Sequence, residues 1–564
     1  MPAFTALSVL SSLTSLLLII TTIILYIAYH LRKKYSYWKK RGAPCLEPDS
    51  LFFGNTKDLI FERESVCFVL KRIYDQLEGH AFGGFFQLTK PVLMIRDPQL
   101  IRNCFVQNFS HFQDRNRVVD EALDPLSSHL MNLTGERWKN VRNKLTPTFS
   151  PSKVKAMGDL MQECVSDLAD YLSEATRGEA GDSGVEDVRE LMAKFAIDVI
   201  GSCAFGLSCH SISDGDSEFR RIGRLVFTPS RKTHLRNFLR LVAPKLNALL
   251  KLKANRPEVE QFFFSVLKDT VKYRESNARK RTDFLQLLID IQTEEVKQNR
   301  SEKSQRNGVQ NGIQNGHADN SAETQKGILF TDTIVASNAF LFLIAGFETT
   351  ASALSYCLYE LALNPDICRK MRDEVESVRR SHNGHLDHDA MKDLVYMDAV
   401  ISETLRKYPP ATVLVRRCTE RFEIPGTSVV VEEGTLAYVS VYGLHHDPKY
   451  FPEPEKFDPE RFSEENKDSI VPGSYVPFGD GPRICIGKRF AQYEMVAVLS
   501  YIVSNYTIHT CEKTPMPLKY DPRSTLLLTP IGGVWVRFKK ICQTLKATRW
   551  SGRCYLCRGF FWWP

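Results

Sequence analysis

The chain has 564 residues, 43% hydrophobic and 25% charged, with a formal net charge of +8. That balance suits a globular protein with one large core or two or three smaller ones, and it excludes a disordered or fibrous chain. The charge is too mild, and Lys and Arg too dispersed, for a nucleic-acid binder; the 14 cysteines lack the regular spacing of a secreted disulfide framework and point to free thiols in a reducing compartment.

Residues 5–31 contain no Asp, Glu, Lys or Arg. The run is long enough to cross a hydrocarbon core of roughly 30 Å as a helix. Arg32, Lys33, Lys34, Lys39, Lys40 and Arg41 follow, and positive charge on that side places the rest of the chain in the cytosol. Residues 5–31 therefore read as a single-pass anchor and not a cleaved signal, which would start basic and carry a shorter apolar run. Residues 32–48 read as a basic cluster and a short hinge at 42–48. The sequon at Asn132 then faces the wrong side for glycosylation.

Residues 49–541 read as mainly helical with a minor strand component. A strand is predicted at 92–95, and helical periodicity covers 153–172, 188–204 and 282–291. Residues 297–327, with a near-repeat of Gln, Asn and Gly at 307–316, have little to bury and read as a disordered surface loop. A long apolar helix is expected at 330–363, two helical pieces between 374 and 408, and strands at 413–418 and 428–431. A proline-rich loop region covers 446–482. A helix then begins near Gly487, and strands at 526–528 and 534–538 close the domain. Residues 542–564 differ in character. Their Cys554-Tyr555-Leu556-Cys557 has no second pair for a zinc site and no strand–helix context for a redox motif, so this stretch reads as an appended tail.

The chemistry concentrates in Phe478-Gly479-Asp480-Gly481-Pro482-Arg483-Ile484-Cys485-Ile486-Gly487. The glycines permit a tight turn and Pro482 stiffens it. A cysteine presented just before a helix N-terminus meets a positive dipole end and unpaired N–H groups, both of which lower a thiol's pKa. Gly487 lets a flat macrocycle approach, and Arg483 can reach a carboxylate of it. Upstream, Glu403 and Arg406 stand three apart on one helix face, and Trp138 and Arg142 four apart on another. Glu348 and Thr349 are unexpected inside an apolar helix, where Gly346 leaves room and a threonine can bond back into the ladder.

Together these phrases resemble the cytochrome P-450 family, in motif order and over nearly the whole chain to about Ile541. The resemblance implies that family's fold: mainly α with minor β, haem lying between the long central helix and the cysteine loop, plus an N-terminal transmembrane helix. It implies haem b with Cys485 as the thiolate ligand, which pushes electron density to favour O–O cleavage, and Phe478 and Gly487 in the cofactor-binding loop. Trp138, Arg142, Arg115, Arg416 and Arg483 would then serve the propionates. Glu403, Arg406 and Arg461 of Pro459-Glu460-Arg461-Phe462 would form a buried polar network beneath the haem. Glu348 and Thr349 would help deliver protons to bound oxygen through water. The phrases at 145–150 and 198–206 resemble the microsomal clan of vertebrate drug-oxidising and insect detoxifying members. The reduced proline hinge, the Gln/Asn/Gly insertion and the long tail depart from the family pattern.

The implied activity is insertion of one oxygen atom from O₂ into a lipophilic small molecule at the endoplasmic reticulum membrane. Electrons would come from an NADPH-dependent flavoprotein reductase, with cytochrome b5 as a second donor, received near Lys139, Lys144, Lys488 and Arg489. Specificity would lie at 115–133, 221–251, 411–415 and 527–533. Two alternatives remain: a reductase-independent haem-thiolate isomerase or dehydratase acting on peroxides, which Glu348 and Thr349 oppose, and a non-catalytic haem sensor.

Overall fold

The computed structural model describes residues 2–541, except 116–119, 179–182, 215–216, 228–230, 277–282, 311–329 and 525–526. Two of its helices are long and apolar enough to cross a membrane, and burial tells them apart. The apolar window of the N-terminal span Thr14–Arg41 has a mean hydropathy of 1.9 and none of it is buried; that of the helix Asp332–Leu363 has 1.5 with 78% buried. The first is a candidate transmembrane anchor. The second is the axis of the fold.

Most of the chain wraps that central helix. Its neighbours include the helices Val188–Ile200, Val395–Lys407 and Lys488–Asn505. Their apolar faces form one cluster in which Phe195, Leu354, Val400 and Leu499 are wholly or almost wholly buried. The strands, in chain order, are β1 (Phe82–Gln87), β2 (Lys90–Ile95), β3 (Val185–Asp187), β4 (Val413–Arg417), β5 (Phe422–Glu423), β6 (Val430–Val431), β7 (Leu436–Ser440), β8 (Tyr506–His509) and β9 (Trp535–Lys540). They pair as a four-stranded sheet in the order β1-β2-β7-β4, a three-stranded sheet β3-β9-β8, and the hairpin-like pair β5-β6. The four-stranded sheet carries a second core around Trp38, Phe85, Phe86 and Val439. β4 runs antiparallel to β7 in a register that sets Arg416 opposite Ala437, which delivers Arg416 to the cysteine loop's side of the molecule.

Three expectations change. The helix Phe284–Gln310 runs through 297–310, the first part of the segment expected to be disordered; Glu294, Glu295, Lys297, Glu302 and Lys303 are strong helix formers by intrinsic propensity. The rest of that segment, 311–327, and the tail with Cys554 and Cys557 lie outside the described residues. No strand forms at 526–528 among the described residues: Leu527 makes a lone bridge to Ala411. And 42–48 is not a free hinge. The Gly84 N–H donates to the Pro44 carbonyl at 2.7 Å and the Leu46 N–H to the Gly84 carbonyl at 2.9 Å, which stitches the segment onto β1. The sequence-based reading also passed over the helix Val66–Gln76, which buries Cys67, Val69, Leu70, Ile73 and Tyr74 on one face.

Candidate active site

The cysteine loop is shaped by backbone constraints before any ligand is considered. The Asp480 carboxylate accepts from the Gly481 N–H at 2.7 Å and starts a short turn, Gly481–Arg483. Gly481 sits at φ 70°, and a Cβ there would fall 2.0 Å from the Phe105 carbonyl oxygen, so only glycine fits. The Cys485 N–H donates to the Phe478 carbonyl at 2.9 Å, closing the loop, and the helix Lys488–Asn505 starts directly after Gly487. A Cβ built on Gly487 meets no atom within 4 Å. Cys485 is accessible, yet protein surrounds it densely enough that burial pushes its thiol up. A bond from the Gly487 backbone and the charges of Arg142, Arg115 and Lys488 pull the other way and do not win. The loop's backbone and the nearby cations thus pull the thiol down as expected, and desolvation outweighs them.

Four arginines from four separate segments converge on this cysteine. Arg142 donates to the Ile484 carbonyl at 2.9 Å and Arg115 to the Arg483 carbonyl at 3.5 Å, so both hold the backbone just ahead of Cys485. Arg483 donates to the Gln113 and Leu133 carbonyls at 2.6 and 2.8 Å, and its guanidinium lies 4.1 Å from the centre of the Trp138 ring. Arg416 reaches its neighbour's carbonyl at 3.0 Å and stands over the Phe105 ring. Among the described residues, Asp114 is the acid paired with this group, 3.6 Å from Arg483. Burial lowers all four arginines, Arg115 to about 10 and Arg483 to about 9, and mutual repulsion adds to it for Arg115, Arg416 and Arg483. One nitrogen each on Arg416 and Arg483 is buried with no partner among the described residues. Several desolvated cations beside one acid call for a polyanion.

On the central helix, Thr349 donates to the Ala345 carbonyl at 2.6 Å, bonding back into the ladder, and the helix continues unbroken. Gly346 does leave room, but the room is taken by Ile200, whose Cδ1 would lie 2.5 Å from an added Cβ. Glu348 is buried and accepts from Arg189 at 2.5 Å. Arg189 comes from the start of the helix Val188–Ile200, and sequence reading missed it because nothing local marks it.

Behind the loop, Glu403 and Arg406 are both wholly buried and bonded through two contacts, 2.7 and 2.8 Å. Arg406 also donates to the His445 and Pro454 carbonyls at 2.9 and 2.8 Å, and the Asp458 N–H donates to Glu403 at 2.8 Å. Arg461 stands 3.5 Å from Glu403. The motif spacing thus brings these three together. It gave no hint of His445, whose Nε2 accepts from the Val476 N–H at 3.0 Å while Nδ1 faces the Arg406 carbonyl at 3.2 Å. Burial and Arg406 hold this imidazole down to about 3, so it is neutral and carries its proton on Nδ1.

A model of the cytochrome P450 family matches residues 46–536. The chain belongs to that family. It is similar to the protein named probable cytochrome P450 6a14 of Drosophila melanogaster, 36% identical over 522 residues that cover 92% of this chain and 98% of the relative. Cytochrome P450 6k1 of Blattella germanica is 35% identical over 521 residues, 92% of this chain and 96% of the relative. Cytochrome P450 6a2 of Drosophila melanogaster is 36% identical over 532 residues, 93% and 99% respectively. Membership makes this P450 a haem-thiolate monooxygenase by class. The residues present fit that group: an accessible cysteine, a glycine with open space above it, and a cluster of arginines with nitrogens unpartnered among the described residues, which suits a dicarboxylate. Of the lysines expected to receive a redox partner, Lys139 and Lys144 pair with Glu136 and Glu295 of their own chain, whereas Lys488 and Arg489 are exposed beside the loop.

Proposed function

We propose that this P450 is a membrane-bound oxygenase of lipophilic small molecules (xenobiotic, steroid or fatty-acid type), supplied with electrons by an NADPH-dependent flavoprotein reductase on the endoplasmic reticulum surface. The observation that carries the reading is the arginine cluster around Cys485. Haem, when bound, supplies the oxygen-activating chemistry. Cys485 is the residue to ligate it. Arg115, Arg142, Arg416, Arg483 and Trp138 are the residues to hold its carboxylates, with Phe478 and Gly487 framing the ligand loop. Glu403, Arg406 and Arg461 keep the polypeptide behind that loop from shifting.

Glu348 and Thr349 are assigned to proton delivery. Thr349 is tied to the Ala345 carbonyl and Glu348 to Arg189, so both start from fixed positions and release a bond to move a proton. The unburied apolar helix, followed by Arg32, Lys33 and Lys34, supports insertion with the catalytic domain on the cytosolic side. The exposed Lys488 and Arg489 support an acidic partner surface beside the loop, shared by the reductase and cytochrome b5.

The test is reconstitution in vesicles with the reductase and NADPH, profiling products across steroids, fatty acids, and plant and synthetic toxins. NADPH-dependent oxygenated products are expected. Turnover of organic peroxides without NADPH, and none with it, would replace this reading by a peroxide-rearranging one.

A further inference from the structure

The stretch 120–134 runs between two contributors to the arginine cluster. Arg115 precedes it, Trp138 and Arg142 follow it, and its Leu133 carbonyl accepts from Arg483 at 2.8 Å. Its middle is fastened to the central helix. The Leu130 N–H donates to Asn338 Oδ1 at 3.0 Å, and Ser337 Oγ donates to the Ser128 carbonyl at 2.9 Å. Asn338 stands about two helical turns, or about 10 Å along the axis, before Ala345. The stretch thus spans from the cysteine loop to the central helix and walls the space between them.

Ser337 and Asn338 are wholly buried polar residues in an apolar helix, a placement that costs free energy unless their polar atoms are bonded. Such residues ordinarily bond back into their own helix. Asn338 does so with its nitrogen, which donates to the Ile334 carbonyl at 2.8 Å. Its oxygen is left for Leu130, and because a backbone N–H only donates, the amide has one orientation that satisfies both. Ser337 has a single hydroxyl proton, and the Ser128 carbonyl at 2.9 Å is nearer than the Ile334 carbonyl at 3.2 Å. The other side of the wall is fastened too. The buried Asp124 carboxylate accepts from the Ala254 and Asn255 N–H groups at 2.6 and 3.3 Å, and Asn255 Nδ2 donates to Ser127 Oγ at 3.2 Å. Residues 254–255 lead into the helix Pro257–Ser276. Leu126 and Leu130 are buried in the main core, and Asn132 Nδ2 braces the wall from within through the Ser127 carbonyl at 3.0 Å. The wall is held from two sides, so swinging it outward strands buried partners on both.

We propose that Ser337, Asn338 and Asp124 are positioning residues that set substrate specificity: they fix 124–130 in place, so the width of the pocket is set before a substrate arrives. The inference rests on the reading of this space as the haem pocket, and it adds the substrate class. A wall that does not yield selects slender lipophilic molecules over bulky ones. A bulky molecule has to break the buried bonds to Asn338 and Asp124 to enter, whereas a slender one leaves them intact.

The test uses the full haem-loaded chain, hydrogen exchange, and two imidazoles whose nitrogen shifts the absorption band of ferric haem. 1-Dodecylimidazole is slender; clotrimazole carries its aryl rings on one crowded carbon. In the parent, the Leu130 and Ala254 amides are expected to be protected, and 1-dodecylimidazole to bind at least about ten-fold tighter than clotrimazole. In Asn338→Ala, exchange at 128–133 is expected to accelerate. The clotrimazole Kd is expected to fall about ten-fold while that of 1-dodecylimidazole stays within about two-fold of the parent. Asp124→Ala is expected to act in the same direction, and it decides the matter if Asn338→Ala does not retain haem. Unprotected Leu130 and Ala254 amides in the parent overturn the inference alone. So does an unchanged preference between the imidazoles in a variant whose wall exchanges faster. If neither imidazole shifts the band of the parent, the haem-pocket reading falls and the inference with it.

Discussion

Glu403 and Glu494 are both wholly buried glutamates on helices that flank the cysteine loop, and their surroundings are opposite. Glu403 meets Arg406 through both oxygens, the Asp458 N–H and the charge of Arg461. Glu494, on the helix that follows Cys485, has no partner at either oxygen among the described residues, and burial pushes its carboxyl well above the ordinary range. Its neighbours there include the thiols of Cys164 and Cys203, whose own pKa values burial raises. Equal burial therefore carries unequal meaning. One acid meets a matched set of donors; the other is kept neutral because the fold offers its charge nothing. Glu348 falls between them, with one partner, Arg189.

The sharpest way to break this contrast is to make Glu403 resemble Glu494. Arg406→Ala strands a buried carboxylate and is expected to cost about 3–5 kcal/mol, seen as loss of haem-loaded protein on expression. At Glu348 the effect is on chemistry. Glu348→Gln keeps the shape and removes the charge, and product yield is expected to fall about a hundred-fold while NADPH consumption continues, measured as the ratio of product to NADPH. At Glu494 the sign reverses. Its folded pKa is raised, so the folded chain keeps a proton that the unfolded chain gives up above the ordinary carboxylate range. Stability is full below that range and falls as pH rises towards the folded value, by about 1.4 kcal/mol per pH unit. Glu494→Gln is expected to remove this slope and raise the thermal midpoint at pH 8; an unchanged slope would show that Glu494 has a partner in solution. The smallest effect belongs to Arg461→Ala, about 1 kcal/mol by denaturant titration, because Arg461 stands 3.5 Å from an acid already satisfied by others.

What could be read from sequence follows from spacing. Glu403 and Arg406 are one helical turn apart, and the cysteine loop is a continuous phrase, so both are visible in a linear string. Arg189 reaches Glu348 across 159 positions, and His445 supports Arg406 across 39; no local pattern joins such pairs. The central helix was legible from its apolar length, yet length alone would equally have made it a membrane span. Only its burial, supplied by other helices, separates it from the anchor. The segment 42–48 looked like a hinge because Gly42 and the prolines suit one, and its bonds go to Gly84, far away in sequence. The desolvation of the thiol was not legible for a related reason: dipole and charge can be guessed from neighbours in sequence, whereas burial comes from the whole fold.

The central claim is that Cys485, set among Arg115, Arg142, Arg416 and Arg483, ligates the haem iron. The direct measurement is the carbon monoxide difference spectrum of the reduced protein, parent against Cys485→Ser at equal haem content. The strongly red-shifted thiolate band is expected in the parent and absent in the variant. Its persistence in Cys485→Ser would assign the iron another ligand and contradict the account.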